Sequence, residues 1–459
     1  FRQKLDLVLR QDHKAYLSRY NEHILMAGAY YDRETGKECG SHYLLKFPDE
    51  GAALDFVKND PFVTAGLFSE TSLYPWRFGL GTFARFPEFL NAEDVCGDES
   101  GVSGIEQDAP SELSAGLAQV KLEFSDGEMA IVPVDRQKSI MEGLREAGIS
   151  MSFDCRQGQC QTCKCAVAEG AVDYPAGHEI TLSDDEKARG SALPCVARPA
   201  TTRVHLRASY DRSALLPIKH KNIEVVEVES LSETVVRLRC RYSPAVKINF
   251  LPGQYVRIEI PGTDDDRCFS FASALKDWPD VEFIIRLIPG GKMSTYLQTL
   301  TGGDKITVRG PYGSFYLRDR PGRLIMLAGG TGLGPMLSML RTLRHRGDTE
   351  REVVLCFGVT NSDDVFMIDE LNELRTIFRN LDVRFALMNA DETWPYIAGT
   401  TVDLLKDDTD SLKSADDVAY LCGPPVMVDA AKERLSGMGY SYDQIVCEEF
   451  IPSGIMSGE

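Results

Sequence analysis

Cys155, Cys160 and Cys163 stand at C-x4-C-x2-C spacing, with Cys195 downstream to supply a fourth thiolate. Four thiolates in this order are the ligand set of a 2Fe-2S cluster, and the loop that wraps such a cluster must turn its amides inward. Gly158, Gln159 and Thr162, between the ligands, are the small and polar residues that permit this turn and aim N–H groups at sulfur. Zinc is the alternative, but zinc ribbons favour two C-x2-C pairs and the chain offers one. Cys165, two residues past a ligand, reads as a buried strand cysteine outside the cluster.

A chain of 459 residues is too long for one core, so this cluster domain must have neighbours. Residues 91–117 carry seven acidic side chains, no Lys or Arg, and repeated Gly, Ser and Pro, the composition of a solvated linker. Before it, helical patterns at 13–20 and 51–58 mix with short strands at 42–47 and 73–78, a small α+β layout. After it, strands are expected at 120–124 and 129–134, and a helix at 139–148, before the cysteines. A second junction near 213–217 leads to β-branched strands over 222–311 with frequent turn residues, the pattern of an antiparallel β-barrel. From 323, apolar strands at 323–328, 353–358, 382–387 and 418–422 alternate with helical stretches, which predicts a parallel α/β sheet. The expected division is therefore 1–90, a linker at 91–117, 118–212, 218–320 and 321–459.

The formal net charge of -19 argues against nucleic acid as partner, because phosphate binding needs clustered Lys and Arg. The longest uncharged stretch, 324–340, is broken by glycines and Pro335, so no membrane span is expected. No segment has the charged, apolar and small-residue regions of a secretory signal. Twelve cysteines, four of them at cofactor spacing and the rest scattered, favour a reducing cytoplasm over disulfides.

Two motifs carry further chemistry. Arg267, Phe269 and Ser270 occur as RCFS at a strand end, and Gly291, Met293 and Ser294 lie in PGGKMSTYL. Together they offer a flavin an arginine for its pyrophosphate, an aromatic face, a hydroxyl for its reactive nitrogen and a glycine-rich helix start. A strand arginine and an ordinary turn would leave the same residues. The second motif, AGGTGLGP, follows an apolar strand and precedes a helical pattern at 336–344. Gly329, Gly330, Gly332 and Gly334 there let amides approach a diphosphate, although glycine-rich turns also occur without any nucleotide. Asp363 and Asp364 follow the next strand, where an adenosine ribose would lie, and no arginine stands there for a 2'-phosphate. NADH is favoured over NADPH, unless these acids only cap a surface helix.

The order of cysteine loop, RxFS, PGGxMSxYL, GGTGLGP and Cys422-Gly423-Pro424-Pro425 resembles the ferredoxin-NADP reductase superfamily, and within it the benzoate 1,2-dioxygenase reductase group. The resemblance covers about residues 118–459 and includes GVTNSDDV at 358–365. It implies a β-grasp 2Fe-2S domain, an antiparallel barrel for FAD and a parallel α/β domain for NAD, in a multidomain α+β chain. It further implies FAD held by Arg267, Phe269, Ser270, Arg286, Gly291, Met293 and Ser294, with nicotinamide near Thr331, Cys422 and Gly423. Glu448 and Phe450 resemble the family's acid and aromatic beside the flavin, so Ser270, Cys422 and Glu448 are the expected reaction-centre residues. Phe269 stands where the family has tyrosine; stacking survives but one flavin hydrogen bond is lost. Residues 1–90 resemble a different group, the YciI-like proteins of the dimeric α+β barrel (ferredoxin-like) class, through His13, Gly40-Ser41, Asp60-Pro61-Phe62 and Ala65-Gly66-Leu67. That resemblance implies a cleft lined by His13 and Asp60 and a homodimer through this domain. A capping aspartate and a structural histidine are the simpler alternative.

The function implied is an NADH-dependent reductase that passes electrons from NADH to FAD, to the 2Fe-2S cluster, and on to a terminal oxygenase of Rieske type that hydroxylates aromatic rings. No Rieske C-x-H pair or His/carboxylate iron triad is visible, so oxygen activation must lie on another polypeptide. A diiron monooxygenase is the rival acceptor. Two other readings give the first domain the lead: a small-molecule sensor whose redox half reports NADH, or an enzyme built on His13 and Asp60.

Overall fold

The computed structural model describes residues 13, 16–17, 19–20, 24–31, 38–45, 47, 50–65, 116–246 and 248–450. The chain divides into two compact units, 1–100 and 101–459. In the first, β1 (Ile24–Tyr31) pairs antiparallel with β2 (Glu38–Leu45), and α1 (Glu50–Lys58) follows. Asp60 then caps α2 (Pro61–Thr64) by accepting the Phe62 N–H at 2.8 Å, with the ring of Pro61 in the first helical turn where no N–H is needed. The strand expected at 73–78 and nearly all of the acidic linker lie outside the described residues.

The second unit opens with β3 (Leu117–Glu123), whose Ala118, Val120 and Leu122 are fully buried on alternate positions, and β4 (Met129–Asp135). Ser139 caps α3 (Ile140–Glu146) through the Glu142 N–H, and Ile140, Met141 and Leu144 form its buried face. After β5 (Cys165–Glu169) come β6 (Val172–Asp173), α4 (Asp184–Ala188), β7 (Ser191–Ala192), β8 (Arg198–Pro199) and β9 (Arg203–Ala208). The main sheet runs β4-β3-β9-β5-β7, with β3 and β9 parallel and the other pairs antiparallel, which is the expected β-grasp arrangement.

Six antiparallel strands follow: β10 (Lys219–Ser230), β11 (Val235–Arg241), β12 (Tyr255–Glu259), β13 (Asp266–Ser270), β14 (Asp280–Arg286) and β15 (Lys305–Tyr312). Their order is β13-β12-β15-β10-β11-β14, and an isolated bridge between Phe271 and Phe283 joins the two ends into a barrel. Leu238, Ile258, Phe271 and Phe283 fill its interior. The short helix α5 (Lys292–Leu297) lies between the last two strands.

The final layer is wholly parallel. It comprises β16 (Leu324–Gly329), α6 (Leu333–Arg346), β17 (Val353–Val359), α7 (Ile368–Ile377), β18 (Leu381–Leu387), β19 (Ile397–Ala398), β20 (Val418–Gly423), α8 (Pro425–Gly437) and β21 (Ile445–Glu449). Leu324 to Ala328 are all fully buried because helices cover both faces of the sheet, and such strands read as continuous apolar runs. The strand order β19-β18-β17-β16-β20-β21 reverses direction at β16. In open α/β sheets ligands bind at the carboxyl ends of the strands flanking such a reversal, here the glycine turn after β16. Helix α6 begins three residues earlier than its periodicity suggests, because a 3-10 turn at Gly330–Gly332 already starts the coil. Among the described residues no helix is long and apolar enough to cross a membrane.

Candidate functional site

The cluster cysteines form two pairs. Backbone N–H groups of Gln157 and Cys160 donate to the Cys155 sulfur at 3.3 Å each, and the Cys155 N–H points at the Cys160 sulfur at 3.4 Å. The Cys160 thiol bonds to Cys155, which, with burial opposing, is held down to about 5; Cys195 is likewise lowered by the Cys163 thiol. In each pair one thiol is lowered toward the thiolate, the form that ligates metal. Among the described residues no three His, Cys, Asp or Glu side chains close on a single ion, whereas two thiol pairs fit a two-iron centre.

Arg156, Gly158 and Gln161 all take positive φ (58°, 74° and 56°), so the loop is bent inward at three points. A Cβ on Gly158 would meet Ile180 at 3.0 Å and Val196 at 3.1 Å, so the loop is packed from behind as well. The segment 175–181 straps over it: Thr181 Oγ1 donates to the Gln159 carbonyl at 2.9 Å, and His178 Nε2 lies 3.0 Å from the Gln157 carbonyl. Tying the carbonyls outward leaves the N–H groups facing sulfur. Cys165 is buried with its thiol directed at the Cys163 carbonyl at 3.4 Å, and burial alone raises it to about 12, as a strand cysteine outside the pairs would be.

At the barrel edge, β13 ends at Ser270, whose hydroxyl donates to Glu448 Oε2 at 3.3 Å. Nothing in the spacing fixed where Glu448 and Phe450 would sit. The parallel pairing of β21 with β20 does, setting Glu448 opposite Cys422 and Glu449 opposite Gly423, while the Phe450 N–H bonds to the Gly423 carbonyl at 2.9 Å. Burial drives Glu448 up to about 8, and keeps the Cys422 thiol well above its ordinary value. The two loops of the parallel domain touch: a Cβ on Gly332 would lie 2.1 Å from the Cys422 carbonyl oxygen. Gly330 has φ 54° with open space where a Cβ would lie, Thr331 stands beside it, and Gly334 is buried against Ile284 and the Ser270 carbonyl. Amides at the end of β16 are therefore left approachable.

Other expected residues are placed more individually. Arg267 Nη1 donates to the Asp266 carbonyl at 2.7 Å, and Phe269 packs partly against the barrel core. Met293 and Ser294 are buried, and the Ser294 hydroxyl accepts the Ile288 N–H at 2.7 Å, bracing the turn that ends in Gly291, the cap of α5. Arg286 reaches across to Asp364, donating at 3.1 Å, and Thr234 donates to the same carboxylate at 2.6 Å. The adjacent acids thus separate: Asp364 is a buried tie between barrel and parallel sheet, and Asp363 is exposed at the end of β17.

Sequence reasoning missed Tyr255, buried near Glu448 beside Gly313. Tyr255 on β12 is buried within electrostatic reach of Cys160, Glu448, Cys268 and Asp154. Its ring stacks on Tyr312 at 5.8 Å, and Tyr312 meets Phe153 edge-on at 6.4 Å. No local pattern marks Tyr255, although an acid immediately before a ligand cysteine, Asp154, was a signal available for reading.

In the first unit the residues implied by resemblance do meet. His13 Nδ1 lies 2.8 Å from Asp60 Oδ1, both are buried, and the imidazole stacks on Phe62 with centroids 3.7 Å apart. Since Asp60 also caps α2, capping and the histidine contact share one carboxylate.

Family models match in four places: a YCII-related domain over residues 3–77, a 2Fe-2S iron-sulfur cluster binding domain over 123–200, an oxidoreductase FAD-binding domain over 222–316 and an oxidoreductase NAD-binding domain over 326–433. The toluate 1,2-dioxygenase electron transfer component of Pseudomonas putida is 32% identical over 340 residues, covering 73% of this chain and 99% of its own. Methane monooxygenase component C of Methylosinus trichosporium is 38% identical over 299 residues, covering 63% of this chain and 86% of its own. Among solved structures, an Amycolatopsis cytochrome P450 reductase superposes with a TM-score of 0.55 at 29% identity, over 73% of this chain and 99% of that one.

Proposed function

This chain belongs to the family of oxygenase electron transfer components built from 2Fe-2S, FAD-binding and NAD-binding domains, and from that premise we propose that it draws electrons from NADH and delivers them to a Rieske-type ring-hydroxylating oxygenase. FAD when bound accepts a hydride and yields its electrons singly, and a 2Fe-2S cluster carries one at a time. The residues of the chain do the rest. Cys155, Cys160, Cys163 and Cys195 hold the iron. Arg267 and the turn at Gly291 would hold the flavin phosphates, Phe269 and Phe450 would pack against its ring, and Ser270 with Glu448 would offer it a hydroxyl and a buried carboxyl. Gly330, Thr331, Gly332 and Gly334 admit the dinucleotide, Cys422 and Gly423 back the nicotinamide, and Asp363 meets the ribose.

The observation that carries this reading is the Cys268 thiol, two residues before Ser270 on β13, which points at Asp154 Oδ2 at 3.7 Å immediately before Cys155, so that the cluster loop and the Ser270 pocket are neighbours within one unit. The absence of arginine at 358–365 favours NADH over NADPH. The resemblance to monooxygenase reductases supports a second acceptor class by the same chemistry. The YCII-related domain is proposed to pair two chains, with a cytoplasmic location suited to the reduced thiols.

Anaerobic titration of the purified protein with NADH and then NADPH tests the reading, with flavin, iron and labile sulfide counted. Bleaching by NADH at one flavin and two irons per chain is expected. No flavin, or zinc in place of iron and sulfide, would overturn it.

A further inference from the structure

The β-grasp domain meets the barrel at two ends. At the junction end, the Tyr316 hydroxyl accepts the Asp211 N–H at 2.9 Å, Arg318 Nη2 donates to the Ser209 carbonyl at 2.9 Å, and Gln254 Nε2 donates to the Ala214 carbonyl at 3.2 Å. All three grip the segment where one domain runs into the next. The second contact lies at the cluster loop itself. Arg257 Nε donates to Asp154 Oδ1 at 2.8 Å, and its Nη2 reaches the same oxygen. Arg257 Nη1 also donates to Asp266 Oδ1 at 2.7 Å, and Arg309 Nη2 holds the other Asp266 oxygen at 2.9 Å. The Cys268 thiol points to Asp154 Oδ2 at 3.7 Å.

Asp154 directly precedes Cys155, and its side chain is only 8% exposed against 20% for Arg257. A pair so far removed from water holds firmly when complete, and loss of either partner strands a charge. Side chains on a strand alternate, so Tyr255 and Arg257 project from one face of β12 while Val256 and Ile258 fill the barrel core. The strand that grips the cluster loop therefore also carries Tyr255, whose ring stacks on Tyr312 and shares with Glu448 the space beside Gly313.

We propose that Asp154 and Arg257 form a positioning pair that clamps the cluster loop against the barrel and fixes the short path from the Ser270 pocket to the thiols. Neither residue touches the reacting atoms. The pair acts by holding the cluster loop against β12, and because electron tunnelling falls steeply with distance, loosening that hold slows transfer to the cluster without slowing reduction by NADH. This rests on the function proposed above.

The test uses the full-length holoprotein with Arg257→Gln, Arg257→Glu, Arg257→Lys and Asp154→Asn, each checked for full iron and flavin content. Stopped-flow bleaching with NADH separates flavin reduction from cluster reduction, and ferricyanide turnover reads the flavin alone. R257Q and R257E are expected to slow cluster reduction at least tenfold with flavin reduction and ferricyanide turnover unchanged; R257K, keeping the charge, recovers most of the rate. D154N should reproduce the defect from the other side. If R257Q with a full cluster reduces it at the wild-type rate, the clamp is wrong even though the reductase reading stands. If NADH reduces neither centre of the wild-type protein, the function reading fails and takes the clamp with it. Should D154N lose iron, R257Q, which lies away from the thiols, decides the matter alone.

Discussion

Glu448, on the last strand of the parallel sheet, accepts a hydrogen bond from Ser270, on the last residue of a barrel strand, at 3.3 Å, so two domains share one polar contact at the seam between them. Burial, opposed by that bond and aided by Asp154, pushes the carboxyl up to about 8.

The sign of the pH effect follows. An unfolded glutamate titrates near ~4.3, so between there and about 8 the unfolded chain gives up a proton that the folded one keeps. Stability therefore declines as pH rises across that window and levels off above it. Glu448→Gln removes this decline, so melting temperatures of the two proteins should diverge in favour of the variant from about pH 5.5 to about pH 8.5. Parallel melting curves over that range would sink the assignment.

Substituting serine singly at Cys155, Cys160, Cys163 or Cys195 should abolish labile sulfide and the visible cluster spectrum, because each pair then lacks a thiolate. Cys165→Ser should keep iron and sulfide, since its thiol points to the Cys163 carbonyl. Ferricyanide turnover from NADH survives in all five. Iron retained in C160S, or lost in C165S, would require a different ligand set.

Gly332→Ala would drive a methyl into the Cys422 carbonyl, 2.1 Å from the ideal Cβ, with backbone on both sides unable to yield cheaply. The loops must part, at a cost of roughly 1–3 kcal/mol in stability. NADH KM should rise and kcat fall together, while the cluster spectrum stays intact. Steady-state kinetics alongside calorimetry check both halves.

The neighbouring acids predict opposite phenotypes. Asp364→Ala leaves Thr234 and the half-exposed Arg286 without their buried acceptor and should destabilise by about 1–3 kcal/mol. Asp363→Ala, on the exposed side, should change stability by less than ~0.5 kcal/mol yet narrow the preference for NADH over NADPH. A preference ratio that does not move in D363A removes Asp363 from the nucleotide site.

His13→Ala should weaken the first unit by roughly 1–3 kcal/mol, because it strips a buried partner from Asp60 and a stacked ring from Phe62. Turnover with NADH and ferricyanide is expected to stay at the wild-type level. A lost small-molecule reaction with intact folding would instead favour an enzymatic role for this domain.

Much of this architecture is written locally. Thiolate spacing, an apolar run after 323, a Ser or Asp ahead of a helix and glycine at a tight turn each state their chemistry within a few residues. That is why the cluster loop, the parallel strands, the helix beginning near Ser139 and the turn after β16 could be read in advance. Phe450 and Glu448 were legible only as resemblances, because a parallel neighbour is specified by pairing across the sheet and leaves no mark in its own spacing.

The sequence by itself determined which cofactor classes the chain holds and in what order its domains follow, because ligand type and periodicity are properties of short segments. Only the tertiary structure decided that Asp364 ties domains together while Asp363 faces outward, that Glu448 is buried and accepts from Ser270, and that Arg257 meets Asp154 beside the thiols. Each of these depends on burial and on partners 78 to 178 residues apart, and desolvation and charge pairing act through distance in space, which chain order does not encode.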